Sequence, residues 1–217
     1  RVALHYDHGW KLDLARLLAA LTPGTRAVII NSPNNPTGWT MDRVAQEIVL
    51  AHCRKLGIWI IADDVYERLY FDSGAQCAPS FLDVAEENDL LVSANSFSKS
   101  WLMTGWRLGW IVAPPLLTEV LAKLIEYNTS CAPSFVQHAG IVALEQGERI
   151  TQELLARLQT ARDFLMQRLS ALPGIRVASP PGAMYVFLGV DGMTDSVTFA
   201  KRLVTEAKLG PAPGAAF

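Results

Sequence analysis

Short apolar runs alternate with helical periodicity along the first half of the chain. Residues 27–30 and 58–62 are continuous apolar runs. Between them, residues 41–56 carry apolar side chains at the spacing of a helix face, and Gly57 follows as a typical helix stop. Two strands joined by a helix within about 35 residues form a βαβ unit, and uninterrupted apolar strands are typical of a sheet covered on both faces. The pattern predicts an α/β fold.

Further apolar segments extend the sheet and add helices. Residues 90–92 and 108–112 predict a third and a fourth strand, and a short helix is expected near residues 81–87. A one-sided apolar stripe over residues 116–125 predicts another helix. We therefore expect a mostly parallel, mixed sheet flanked by helices in a large domain that spans residues 1–147.

The pattern changes after the first two thirds of the chain. A long helical stripe covers residues 154–172 and ends at Pro173-Gly174. One strand-like segment follows at residues 184–188, and then a helix near residues 196–208. We predict that residues 148–217 form a linker helix and part of a smaller α+β domain.

Composition and charge exclude several classes of protein. The 217 residues include 19 Lys+Arg and 21 Asp+Glu, for a formal net charge of −2. Because there is no basic run, this balance argues against a nucleic-acid partner. No apolar stretch approaches the roughly 18 residues that span a bilayer, and the first residues lack the pattern of a signal peptide. We therefore expect no membrane partner.

Cysteine usage and the small share of charged residues refine this picture. Cys53, Cys77 and Cys131 are odd in number and far apart, which is typical of reduced thiols in a cytoplasmic protein. Neither they nor the histidines have the spacing of a metal site. Only 18% of the residues are charged, below the roughly 25% usual for soluble domains. This indicates surface that is buried in an oligomer or against further chain. An exposed cluster of Trp101, Trp106 and Trp110 fits a homodimer, although tryptophans are at least as often part of a simple core.

Polar segments follow three of the predicted strands at the point where each strand ends. They are Asn35-Pro36-Thr37-Gly38 after the first strand, Asp63-Asp64-Val65-Tyr66 after the second, and Ser96-Phe97-Ser98-Lys99, with Arg107 eight residues on, after the third. In open α/β sheets, ligands bind beyond the carboxyl ends of the strands. Taken singly, these segments are also explained as a turn, a helix cap, a solvated lysine and a structural ion pair. Their convergence at one edge predicts a binding or catalytic site.

These motifs are similar to those of a known family. Residues 96–109, Ser-Phe-Ser-Lys-Ser-Trp-Leu-Met-Thr-Gly-Trp-Arg-Leu-Gly, resemble the lysine signature of the class I pyridoxal-phosphate aminotransferases. Asn-Pro-Thr-Gly and Asp-x-x-Tyr resemble the family's other two cofactor-binding motifs, in the same order. Residues 180–185 resemble the start of a strand in its small domain. The resemblance implies the large domain of that fold, part of its smaller domain, and pyridoxal 5'-phosphate as the cofactor.

The resemblance implies catalytic roles for three residues. Lys99 would form the Schiff base with the cofactor aldehyde and, once released, shuttle the substrate proton. Asp63 would pair with the protonated pyridine nitrogen, because Asp64 points to the other side of an extended segment. Tyr66, together with Asn35, would hydrogen-bond the ring 3-oxygen.

The resemblance also implies which residues bind the cofactor phosphate. Arg107 offers a two-pronged donor, and the hydroxyls of Ser96 and Ser98 are further donors. By the same resemblance, the Asn35–Pro36 peptide bond is expected to be cis.

The function implied is transfer of an amino group between an L-amino acid and a 2-oxo acid, by a homodimer. Two alternatives remain open: another reaction on the same cofactor, such as that of a C–S lyase or decarboxylase, and an aminotransferase-like sensing domain of a transcription regulator. Ser96-x-x-Lys99 also matches the first motif of penicillin-binding enzymes, but their Ser-Asp-Asn and Lys-Thr-Gly motifs do not occur in this sequence.

The same resemblance identifies the chain as the middle of an aminotransferase. In that family a phosphate-binding loop and a ring-stacking aromatic residue precede the part that corresponds to this chain, and the arginine that binds the substrate carboxylate follows it. The sequence is therefore either a fragment or a naturally reduced protein. Because that arginine orients the reacting bond, the 217-residue polypeptide alone is expected to be a poor or inactive transaminase.

Overall fold

The computed structural model describes residues 1–72 and 74–217, and its helices and strands alternate through most of the chain. In chain order they are β1 (His5–Tyr6), β2 (Trp10–Lys11), α1 (Leu14–Ala20), β3 (Ala27–Asn31), α2 (Arg43–Leu56), β4 (Trp59–Asp63), β5 (Leu91–Ser96), β6 (Gly109–Val112), α3 (Thr118–Asn128), α4 (Ser134–Gln146), α5 (Glu148–Leu169), β7 (Ile175–Arg176), β8 (Gly189–Val190) and α6 (Ser196–Ala207). The domain boundary expected near the start of α5 stays a prediction.

A four-stranded sheet with the order β3-β4-β5-β6 lies at the centre. β3, β4 and β5 are parallel, whereas β6 runs antiparallel to β5. The register places Asn31 beside Asp63, and Asp63 beside Ala94. This arrangement confirms the expected α/β fold with a mixed, mostly parallel sheet flanked by helices. It also brings the carboxyl ends of three strands to one edge.

The helix α2 forms within two residues of its predicted bounds, and its caps explain why. The Asp42 side chain accepts a hydrogen bond from the Ala45 N–H at 2.8 Å, and Gly57 ends the helix in the left-handed region at φ 66°. Cys53 is buried in the core that α2 forms with the sheet, which includes Ile60. Burial raises the pKa of the Cys53 thiol to about 11, so this thiol stays protonated at neutral pH.

The helix expected near residues 81–87 is wrong, because the structure contains a single 3-10 turn there. A capping box between Ser80 and Asp83 closes that turn. A second turn follows, in which the Asp89 carboxylate accepts a hydrogen bond from the Glu86 N–H at 2.7 Å. Side chains that bond the nearby backbone in this way compete with helix formation, so the backbone leaves the helical path.

The strand expected at residues 184–188 is also wrong. The ladder in this region is β8 paired antiparallel with β7. Residues 180–183 bond to the chain at 69–71 instead, and no strand of the described residues pairs with 184–188. A run of apolar residues thus did not indicate a paired strand here.

The helix α4 is not predicted from the sequence pattern, because its apolar residues do not form one stripe. Phe135 is exposed, whereas the adjacent Val136 is buried. Together with α3, this helix presents exposed apolar side chains to the outside, namely Val120, Leu124, Phe135, Val142 and Leu144. The small share of charged residues is therefore matched by an apolar surface on these two helices.

The tryptophan cluster lies mostly inside the molecule, which corrects the expectation of an exposed cluster. Trp101 is buried and packs with Phe97 and Trp110 in a small core, while Trp106 is exposed. In residues 1–72 and 74–217, no helix has the length and apolar character needed to cross a membrane.

Candidate functional site

The loop that follows β3 is closed by its own asparagine side chains. Asn31 Oδ1 accepts a hydrogen bond from the Asn35 N–H at 2.7 Å, and Asn34 Oδ1 accepts one from Thr37 Oγ1 at 2.7 Å. The Ser32–Pro33 and Asn35–Pro36 peptide bonds are both cis, so the cis bond implied by the resemblance is confirmed. Asn35 is exposed at the carboxyl edge of the sheet, where a bound molecule can reach its amide.

The two acidic residues at the end of β4 lie in different environments, as strand alternation predicts. Asp64 is buried, and its Oδ2 accepts hydrogen bonds from Ser93 Oγ at 2.6 Å and Ser80 Oγ at 3.1 Å. Burial raises the pKa of the Asp64 carboxyl, and the two serine hydroxyls oppose that rise. Asp63 is only half-buried, and its Oδ1 accepts one weak hydrogen bond from the Val65 N–H at 3.4 Å. Asp63 is therefore the carboxylate with free acceptor capacity at the edge.

Tyr66 brings the three polar segments together. Its ring is buried, and the Lys99 Nζ lies 5.7 Å from the ring centroid. Burial raises the pKa of the Tyr66 phenol, the neighbouring Tyr185 hydroxyl and the negative charge of Asp63 raise it further, and the Asn35 side chain opposes the rise. Asn35 and Asp63 thus act on the same phenol whose ring lies beside Lys99 Nζ. The Tyr66 hydroxyl therefore remains protonated at neutral pH and can donate a hydrogen bond.

Lys99 lies in the turn that follows β5. Ser98 donates its backbone N–H to Ser96 Oγ at 3.0 Å, and this bond begins the turn. The Leu102 N–H donates to the Lys99 carbonyl at 3.3 Å, and the Met103 N–H donates to the Phe97 carbonyl at 3.3 Å. The lysine side chain is half-buried, so it is fixed by a compact turn instead of extending into solvent.

Arg107 precedes β6 and lies near Ser96 because of the sheet register. Ser96 pairs with Gly109 across the two strands, and a Cβ at Gly109 would lie 2.5 Å from the Asn95 carbonyl oxygen, so this close approach requires glycine. Arg107 itself adopts the left-handed region, at φ 54°. Its Nη1 donates to the Thr104 carbonyl at 2.9 Å, and the side chain is exposed. The other N–H groups of the guanidinium stay free to bind an anion.

The donor set at this edge fits the cofactor implied by the resemblance. Among the residues that the structure describes, no salt bridge involves Asp63, Lys99 or Arg107. A carboxylate, an amine and a guanidinium without ionic partners match a pyridinium nitrogen, an aldehyde and a phosphate, respectively. Across residues 1–72 and 74–217, no group of three or more His, Cys, Asp or Glu side chains could hold a metal ion.

One residue of this cluster is missed by the sequence analysis. The Tyr185 hydroxyl lies 2.6 Å from the Tyr66 hydroxyl, although the two residues are 119 positions apart. Residues 180–185 are identified only as the start of a strand, and no spacing rule connects a tyrosine there with Tyr66. The motif at residues 180–185 was therefore found in the sequence, but it gave no indication that Tyr185 contacts Tyr66.

Glu67, which follows Tyr66, is expected to make stability depend on pH. Burial and the negative charges of Asp64 and Asp83 raise its pKa from 4.5 to about 7, and Arg68 opposes the rise. The folded protein therefore holds a proton between pH 4.5 and 7 that the unfolded chain has lost, so stability falls as pH rises through that window. Glu67→Gln keeps the neutral form at all pH values and should be more stable than the wild type above pH 7 and equal to it near pH 4.5.

Urea unfolding of both proteins across this pH range measures the effect. Glu126→Gln is a matched control, because Glu126 is exposed on α3 and its substitution should not alter the slope. Equal pH dependence of Glu67→Gln and the wild type would contradict the assignment.

Comparisons with known proteins agree with this geometry. Residues 1–217 match the family described as aminotransferase class I and II. An aspartate aminotransferase from Pyrococcus horikoshii is 36% identical over 220 residues, which cover 100% of this chain and 55% of that protein. The crystal structure of aspartate aminotransferase from Thermotoga maritima superimposes with a TM-score of 0.86 at 34% identity, covering 95% of this chain and 52% of that one.

A second solved structure has a different stated activity. The aromatic aminotransferase from Pyrococcus horikoshii superimposes with a TM-score of 0.87 at 30% identity, covering 95% of this chain and 56% of that one. The chain thus spans about half the length of the proteins to which it is similar.

Proposed function

The chain belongs to the class I and II aminotransferases, and on that premise we propose that the protein transfers an amino group between an L-amino acid and a 2-oxo acid, with pyridoxal 5'-phosphate at the carboxyl edge of the sheet. The single observation that carries the proposal is the convergence of Lys99, Asp63 and Asn35 around the buried Tyr66 phenol. A lysine, a carboxylate and a phenol at one strand edge are the groups that this chemistry needs.

Lys99 is the nucleophile and the proton carrier in this proposal. When bound, the cofactor supplies an aldehyde for amine exchange and a ring that withdraws electrons from the substrate Cα. Lys99 would hold the cofactor covalently through Nζ, and the substrate amine would take that place. The freed Nζ would then take the proton from the substrate Cα as general base and return it as general acid. Its fixed position in the turn after β5 keeps it within reach of both atoms.

Asp63 and Tyr66 set the electronic properties of the site. The Asp63 carboxylate would pair with the positive charge at the pyridine nitrogen, and partial burial would strengthen that pairing because it lowers the effective dielectric. Tyr66 Oη and the Asn35 amide would donate hydrogen bonds to the ring 3-oxygen. The phenol can do so at neutral pH because burial keeps its pKa high.

Ser96, Ser98 and Arg107 bind the phosphate in this proposal. Arg107 offers several N–H groups in a planar fork, and hydroxyl donors add to an anion site without adding charge. All three lie at the junction of β5 and β6, on the same edge as Lys99. The phosphate would therefore anchor the cofactor while leaving its reactive end beside Lys99.

Assembly and location belong to the same proposal. Exposed apolar side chains on α3 and α4 form a surface that a second copy of the chain could cover. The small share of charged residues supports this interpretation, so we propose a homodimer. The free thiols of Cys53, Cys77 and Cys131 suit a reducing compartment, so we propose a cytoplasmic location.

Product analysis with borohydride trapping tests the proposed function. The protein expressed from its complete gene is loaded with pyridoxal phosphate, reduced and digested, and the modified peptide is identified by mass spectrometry. We expect the label on Lys99 and the formation of a 2-oxo acid from an amino acid in the unreduced enzyme. Label on another lysine would overturn the site. Label on Lys99 with release of sulfide or carbon dioxide instead of amino transfer would identify a lyase or decarboxylase, and label without any turnover would indicate a sensing domain.

A further inference from the structure

The segment of residues 180–185, here called the 180–185 segment, is bound along its length to the chain after Tyr66. The Phe71 N–H donates to the Pro181 carbonyl at 3.0 Å, and the Ala183 N–H donates to the Leu69 carbonyl at 2.8 Å. Between these bonds, Gly182 forms an antiparallel bridge with Tyr70. The segment is therefore held by the same stretch of backbone that carries the site residues of β4.

The loop after β3 packs against the other side of the 180–185 segment. Gly38 adopts φ 71°, and a Cβ there would lie 2.6 Å from the Gly182 carbonyl oxygen. A Cβ at Gly182 would in turn lie 2.8 Å from the Pro33 Cβ. Neither position has space for a side chain, and Ala183 is fully buried. The segment is thus enclosed between two site loops, and the position of Tyr185 is fixed by both.

Tyr185 meets Tyr66 with its ring as well as with its hydroxyl. The two rings form an edge-to-face pair with centroids 5.6 Å apart and an interplanar angle of 77°, which is a favourable aromatic geometry. The hydroxyl oxygens are 2.6 Å apart, a normal distance for an O–H···O hydrogen bond. Leu154 and Leu158 pack around the pair. The pair is therefore ordered and partly shielded from water.

Tyr66 has one hydroxyl proton, so it can donate either to Tyr185 or to a ligand in the site. Which of these occurs depends on whether Tyr66 or Tyr185 is the donor in the hydrogen bond between them. A phenol has one O–H donor and can also accept. If Tyr66 donates to Tyr185, its proton is not available to a ligand in the site. If Tyr185 donates, the Tyr66 proton is free for a ligand in the site, and the chain of two hydrogen bonds strengthens that donation.

We propose that Tyr185 is a positioning residue whose hydroxyl donates to Tyr66 Oη and so directs the Tyr66 proton toward the ring 3-oxygen of the cofactor. This inference rests on the proposed function, and it gives a residue of the 180–185 segment a role in the site at the end of β4. Tyr66 then donates more strongly to the cofactor oxygen than a lone phenol would. The negative charge on that oxygen is stabilised, and the proton on the neighbouring Lys99 nitrogen is held less tightly.

The variant that tests this role is Tyr185→Phe, and Tyr70→Phe is its matched control. Tyr70 is also half-buried and lies on the same bridge to Gly182, but its hydroxyl makes no hydrogen bond within residues 1–72 and 74–217. Both variants lose one phenolic oxygen beside the 180–185 segment. Only Tyr185→Phe removes the hydrogen bond to Tyr66.

The first measurement needs no cofactor. The protein expressed from its complete gene is labelled with carbon-13 at tyrosine Cζ, and the Tyr66 resonance is assigned by its loss in Tyr66→Phe. We expect the Tyr66 signal at neutral pH to shift in Tyr185→Phe and to stay in place in Tyr70→Phe. Equal shifts in the two variants, or none, would overturn the inference, because a purely structural filler would act alike at both positions.

The second measurement is the pH titration of the visible band of the Lys99-bound cofactor. A hydrogen bond of ordinary strength corresponds to about half to one pKa unit, so the midpoint should rise by that amount in Tyr185→Phe and stay unchanged in Tyr70→Phe. An unchanged or lowered midpoint in Tyr185→Phe would overturn the inference while leaving the proposed function intact. A wild-type protein without any lysine-dependent band would overturn the proposed function, and the inference with it.

Discussion

Lys99→Ala is expected to lower the rate of amino transfer by about four orders of magnitude, the upper range for loss of one general acid–base group. The side chain carries both the covalent linkage and the proton in the proposed mechanism. Alanine at this position removes the amine but leaves the turn intact, since the hydrogen bonds around residue 99 are made by backbone groups and by Ser96. Steady-state formation of the 2-oxo acid measures the loss.

The control for this prediction is a lysine of the same protein that lies far from the sheet edge. Lys123 is exposed on α3, and Lys123→Ala should keep wild-type turnover and a cofactor band that borohydride fixes. Lys99→Ala should lack the fixed band and keep an unchanged unfolding midpoint in urea. Wild-type turnover in Lys99→Ala would assign the chemistry to another residue.

Asp63→Asn is expected to lower kcat by about 10²- to 10³-fold, the usual cost of one preorganised electrostatic group. Asparagine has nearly the same shape as aspartate but no charge, so the pyridine nitrogen loses its anionic partner. Stability should change little, because within residues 1–72 and 74–217 the Asp63 side chain accepts a single weak hydrogen bond. The measurement is the rate of the first half-reaction with an amino acid, followed by the spectrum of the cofactor.

The neighbouring Asp64 gives the opposite pattern and serves as the comparison. Its carboxylate accepts hydrogen bonds from Ser93 and Ser80 inside the molecule. Asp64→Asn disturbs that buried network and should lower the free energy of unfolding by about 1–3 kcal/mol, while kcat stays near the wild-type value. If Asp64→Asn were the variant that lost activity at unchanged stability, the roles of the two acids would be reversed.

The strands and the helix α2 could be predicted from the sequence because their signals are local. An apolar run such as residues 58–62 is compatible with a buried strand when a helix and a turn flank it. Asp42 and Gly57 define the ends of α2 because each caps one end of the helix. The polar motifs at the strand ends could be found for the same reason, since a parallel sheet brings its carboxyl ends together whatever else the chain does.

The remaining features depend on contacts between distant parts of the chain. The pairing of Tyr185 with Tyr66 follows from the way residues 180–183 bond to residues 69–71, and no periodicity encodes that choice. The helix α4 could not be predicted because its apolar side chains point in several directions. Sequence periodicity identifies a helix only when the apolar side chains lie along one face.

The pairing register of β4 has a further consequence for the two adjacent acids. Side chains of a strand alternate between its faces, so inserting or deleting one residue within β4 would exchange the positions of Asp63 and Asp64. The acid that serves the site is thus selected by parity, the odd or even count of residues along the strand, and not by any difference in the chemistry of the two carboxyl groups. Changes in the length of this strand can preserve the site only in steps of two.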